Sequence, residues 1–117
     1  MIQYATNEEF ARSVRQYIVS TARAMLEGQL SFLLGSRLLA PLRPQTDAAR
    51  YDHDFLVFVA IHSQTHALPL GAVREHCDEH VLARLAPEIE EAEQWASTVG
   101  ADACRSLIAR FSEDEPN

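Results

Sequence analysis

One stretch of this chain decides its fold class. DFLVFVAI, residues 54–61, contains seven consecutive apolar side chains from Phe55 to Ile61. By periodicity such a run suits a buried strand and a buried helix equally. No second strand candidate occurs anywhere in the 117 residues, and a lone strand would leave its backbone donors and acceptors unpaired. Asp54 is in addition a good helix N-cap. The run is therefore read as a central helix over about 54–64. The chain then reads as all-α, a single compact bundle of about five helices, with a strand over this run as the alternative.

The flanking elements fit that class. Thr6 with Glu9 forms a capping box, after which Phe10, Val14, Tyr17, Ile18, Ala22 and Met25 recur at helical spacing. Gly28 is a natural stop, which predicts a first helix over about 7–27. In LSFLLGSRLLAPLRP, Leu30, Leu33, Leu34 and Leu38 mark the buried side of a second helix, ended by Pro41 and Pro44. Gly35-Ser36 either weakens that helix or lets another approach closely. Residues 43–53 are a polar connection, and HALPLGAV is a loop. Asp78 caps a helix that starts at Glu79. Pro87 looks like the first residue of a renewed helix, although Leu82, Leu85, Ile89, Ala92, Ala96 and Val99 keep one stripe through it. Gly100 is expected to end this helix, and Asp102 to cap a last one carrying Cys104, Leu107, Ile108 and Phe111 inward. Trp95 and Phe111 read as core anchors. Residues 1–112 are read as one helical domain and 113–117 as an acidic disordered tail.

Size and charge narrow the function classes. A chain of this length buries enough surface for an autonomous core. It has no run of about 18 apolar residues to span a membrane, and its N-terminus does not read as a secretory signal. The two cysteines, Cys77 and Cys104, do not amount to a disulfide framework, which points to a cytoplasmic protein with reduced thiols. Charge is unevenly distributed. Residues 1–74 carry seven arginines and six acids, a net of +1; residues 75–117 carry three arginines and eleven acids, a net of −8, which together give the −7 of the chain. Such a surface repels phosphate backbones, which argues against nucleic acid. It attracts a basic protein, and it also fits a solvated face that keeps the protein soluble.

The histidines offer the one signal for metal chemistry. His62/His66 and His76/His80 are each spaced i,i+4, the spacing with which two imidazoles of one helix grip zinc. REHCDEH also contains H-x-x-E-H, which in inverted-motif zinc peptidases supplies two ligands and a base. If Asp78 is an N-cap, however, His76 precedes the helix that His80 opens, and the pair shares no helical face. A third ligand and a substrate cleft are also hard to find in so short a chain. A non-catalytic zinc site drawn from His62, His66, His76, Cys77 and His80 is the less demanding alternative. Histidines that cap, hydrogen-bond or stay exposed are the favoured reading. No phosphate-binding loop and no G-x-S-x-G elbow occurs. Cys77 between His76 and His80 is a weak candidate for an activated thiolate.

The run FVAIHSQTHALPLGAVREH resembles one in small bacterial proteins of unknown function. The likeness extends over Gly28 to Phe32, Asp54 to Ile61, Ser63 to Arg74 and Leu85 to Trp95. In those proteins the loop is acidic where this chain has Gln64 and His66, which counts against a metal site. The resemblance implies an immunity- or antitoxin-like partner rather than an activity. The expected function is thus a non-enzymatic binding protein without cofactor. It would engage a basic protein partner, such as a toxin or effector, through Glu75, Asp78, Glu79, Glu88 and Glu91. The alternative is a zinc protein or metal-dependent hydrolase using His62, His66, His76 and His80. A homodimer is also open, because small helical domains often bury leftover apolar stripes against a copy of themselves.

Overall fold

The computed structural model describes residues 7–42 and 52–112. Among them the chain forms four α-helices and no strand: α1 (Asn7–Leu26), α2 (Phe32–Leu39), α3 (His53–Thr65) and α4 (Glu79–Phe111). A 3-10 turn at Gly71–His76 leads into α4. None of these helices is long and apolar enough to cross a membrane. Thr6, most of the 43–53 connection and the 113–117 tail lie outside the described residues.

The apolar run is a helix, and only one face of it is core. Phe55, Phe58 and Ile61 are fully buried, whereas Leu56 stands out at 37% exposure. Around them pack Ile18, Val19, Ala22 and Met25 of α1, Leu33 and Leu39 of α2, and Ala96, Cys104 and Leu107 of α4. The cap is Asp52 and not Asp54. The Asp52 carboxylate accepts from the amides of Asp54 (3.1 Å) and Phe55 (3.4 Å). Asp54 is instead drawn to α4, where Ser106 Oγ (2.6 Å) and Arg110 Nη1 (2.7 Å) donate to it. Arg110 also donates to both oxygens of Asp52, at 3.0 and 2.6 Å. One guanidinium thereby clasps the start of α3 to the end of α4, and it holds the Asp52 carboxyl below its ordinary range.

The stop of α1 is as expected. Gly28 is left-handed (φ 79°), and the amides of Gly28, Gln29 and Leu30 turn back to the carbonyls of Met25 and Ala24. The buried face of α1 is turned from the expected stripe: Val19 and Thr21 join Val14, Ile18, Ala22 and Met25 in the interior, while Phe10 (40%) and Tyr17 (46%) sit at its exposed margin. In α2 the buried face is rotated from the expected one. It consists of Phe32, Leu33, Gly35, Ser36 and Leu39; Leu38 points outward, and Leu30 and Leu34 are half-buried. Gly35 makes this possible, because a Cβ there would lie 2.3 Å from the buried Met25 Sδ. Close approach, not weakness, is what Gly35-Ser36 supplies.

The expected count of five fails at α4, which runs unbroken from Glu79 to Phe111 with Pro87 inside it. An interior proline removes one amide donor and costs about 3 kcal/mol. Apolar side chains on both sides of Pro87, Leu82 and Leu85 before it and Ile89 and Ala92 after, are half-buried along one side of the helix, and this shared packing offsets that cost. Gly100 is likewise no stop. It is buried, and a Cβ on it would press within 3.2 Å of Phe32 and 3.4 Å of Ile61. Asp102 caps nothing; it pairs with Arg105 on the surface at 2.6 Å. Cys104, Leu107 and Phe111 are inward as predicted, Ile108 and Trp95 half-buried, and Val99 exposed.

Candidate functional site

The candidate site is the leading half of α4. Thirty-three residues rising about 1.5 Å each make a rod of nearly 50 Å, the longest dimension of the molecule at 49 Å. The other helices cover it unevenly. From Ala96 onward six residues are buried: Ala96, Gly100, Ala103, Cys104, Leu107 and Phe111. From Glu79 to Trp95 none is, and Val81, Leu82, Leu85, Ile89 and Ala92 are only half-buried. That same segment carries Glu79, Glu88, Glu90, Glu91 and Glu93 against a single Arg84.

Asp78 opens the helix as its sequence predicts. Its carboxylate accepts from the His80 amide at 2.7 Å. Glu75, in the 3-10 turn, and Asp78, Glu79, Glu88 and Glu91 are all exposed. The geometry divides them. Residues advance about 100° each around a helix, which places Glu79, Ala86, Glu90 and Glu93 on one side of α4 and Glu88 and Glu91 on another. Glu88 and Glu91 border a shallow depression with Gln64, Thr65, Ala92 and Trp95. On the other side a groove of about 850 Å³ separates α4 from the end of α1 and the start of α2. Its walls include Met25, Leu26, Leu30, Phe32, Leu34, Leu70, Ala86 and Ile89, with Glu90, Glu93 and Arg74 among them.

Glu93 is the one carboxylate of this segment with a fixed task. It accepts from Ser31 Oγ at 2.6 Å and from the Phe32 amide at 2.5 Å. Ser31 in turn accepts from the amides of Leu33 (3.1 Å) and Leu34 (3.2 Å). A carboxylate at the positive end of α2 satisfies donors that the helix leaves free, so Glu93 holds the groove's two walls together. Its partners lie more than sixty residues away along the chain, and only the Ser31 cap was open to local inspection.

The histidines do not converge. His76 ends the 3-10 turn, and His80 follows the Asp78 cap in the first turn of α4. His53, His66, His76 and His80 are exposed and His62 is half-buried. His66 Nδ1 lies 3.0 Å from the Ser63 carbonyl oxygen, a local contact. Among the described residues no three histidine, cysteine, aspartate or glutamate side chains gather closely enough to hold an ion. Half-buried Cys77 has its Sγ 3.6 Å from the Val73 carbonyl oxygen. Cys104 packs 3.9 Å from Met25 Sδ, and burial pushes its thiol up to about 12, where it stays protonated at neutral pH.

What remains chemically available is an exposed acidic helix segment bordered by an apolar groove. No protein-family model, no curated protein and no solved structure matches this chain.

Proposed function

We propose that this chain is a non-enzymatic binding protein whose acidic C-terminal half engages a basic protein partner, in the manner of an immunity or antitoxin protein neutralising its target. A single observation carries this reading. The leading half of α4 exposes a cluster of acids against one arginine, on a part of the helix that no other element fully covers. Carboxylates so placed repel one another, and a cationic partner would relieve that repulsion. Complementary charge would also speed and orient the encounter. The half-buried apolar side chains between the acids would supply the area that charge alone does not.

The test is affinity capture at low and high salt, with the product of a neighbouring gene as the first candidate partner. The expected result is a basic protein retained at low salt, released at high salt, and lost when Glu88→Lys and Glu91→Lys are combined with Glu79→Lys and Glu90→Lys. A partner that binds regardless of salt and of these reversals would remove the reading.

A further inference from the structure

We infer that the groove beside α4 seats one amphipathic basic helix of the partner, an inference that rests on the binding role proposed above and gives it a location and an occupant. The groove is open to solvent and follows α4 from Ala86 to Ser97, unlike the enclosed pockets that bury most of a small ligand. An open channel running along a helix is the shape that a second helix fills with side chains at i, i+3 and i+4. Leu30, Leu34, Leu70 and Ile89 offer those side chains an apolar floor.

Charge selects among occupants. Glu90 stands exposed on the groove wall, and Glu79 lies on the same side of α4 by helical angle. A second copy of this chain would bring its own acidic segment against that wall and place like charges face to face, which is costly. A helix with lysines or arginines flanking its apolar side meets the same wall favourably. Among the described residues Arg74 is the one cation on the lining, against Glu90 and the already engaged Glu93. The groove is also remote from the clasp at the far end of the bundle. Ala86 and Arg110 are separated by roughly 36 Å of helix axis at 1.5 Å per residue, so changes on the groove wall leave that clasp intact.

The experiment is a residue-resolved NMR titration of the whole protein with two synthetic peptides of one composition. The first is a leucine/lysine helix with its leucines on one face; the second is the same peptide scrambled so that they are not. The expected result is amide shifts centred on Leu30, Leu34, Ala86 and Ile89, with the amphipathic peptide binding roughly tenfold tighter than the scrambled one. Ala86→Trp, at an exposed helical position, should remove that preference by filling the channel. Glu90→Lys should weaken the amphipathic peptide without touching the apolar floor. Circular dichroism establishes that each variant is folded. Shifts confined to Glu88, Glu91 and Trp95, with both peptides binding equally, would overturn the groove while leaving binding by charge in place. No shift with either peptide would also overturn the groove; the wider binding role would still stand or fall on the salt-sensitive capture.

Discussion

The two halves of α4 belong to one unbroken helix and do different work. The closing half, Ala96–Phe111, buries six residues and ends in the Arg110 clasp on Asp52 and Asp54. The leading half, Glu79–Trp95, buries none, carries five acids, and is tied to the start of α2 through Glu93 and to the core through half-buried Ile89, Ala92 and Trp95. Helical propensity alone does not distinguish them. What differs is the surface each has to pack against, and most helical stability in proteins comes from such packing. A helix that outruns its core becomes a projecting surface, available to something other than the rest of the chain.

Core truncation should show the largest contrast. Leu107 is fully buried, and Leu107→Ala should cost about 2–5 kcal/mol in chemical denaturation, the range for a deleted leucine in a packed core. Leu85 is half-buried, and Leu85→Ala should cost less than about 1.5 kcal/mol, because part of its surface already meets water. Equal losses at the two sites would erase the distinction between the halves.

The clasp gives the next largest effect. Arg110→Ala should destabilise by about 1 kcal/mol, below the range for buried charge-assisted hydrogen bonds, because its side chain is 37% exposed and solvent screens it. Its pH dependence has a definite sign. The hydrogen bond from Arg110 is the chief reason Asp52 is held below its ordinary value of 3.8. A carboxyl depressed on folding stabilises the protein above its unfolded pKa, and that contribution is lost as pH falls through the lower folded value. Denaturation followed from pH 7 downward should therefore show wild type losing its advantage over Asp52→Asn below about pH 4. Asn retains a cap acceptor and lacks the charge, so a pH-independent gap between the two would contradict the ion pair.

A smaller effect sharpens the comparison from the other side. Pro87 leaves the helix one amide short within the leading half, so Pro87→Ala should recover less than about 1 kcal/mol of the roughly 3 kcal/mol an interior proline costs. The gain should appear as local amide protection around Ala83 to Glu91 more than as a raised melting temperature. A global gain with no local change would mean that the leading half unfolds together with the core.

How far the chain could be read in advance depended on whether the deciding contacts were local. The class followed from DFLVFVAI and the want of a partner strand, and Gly28 and Asp78 act where local capping rules put them. Asp52 and Asp54 satisfy the same capping rule two residues apart. Asp52 keeps the cap while Asp54 is taken up by Ser106 and Arg110, more than fifty residues downstream. In α2 leucines point in several directions around eight residues, so a stripe could not be phased until Gly35 was seen against Met25. At Pro87 and Gly100 local breaker signals conflicted with a continuous apolar stripe, and the stripe prevailed because tertiary packing outweighs propensity. The five exposed acids were visible as composition. The groove that Glu79's side of α4 borders, and the depression that Glu88 and Glu91 border instead, required the other helices to be in place.

Residue-resolved native-state hydrogen exchange along α4 tests the central claim most directly. Amides from Ala96 to Phe111 should exchange only through global unfolding. Those from Glu79 to Ile89 should exchange faster through local opening, with the boundary falling between Ile89 and Ala96. Uniform protection from Glu79 to Phe111 would contradict the account, because it would make the leading half as much a part of the core as the rest.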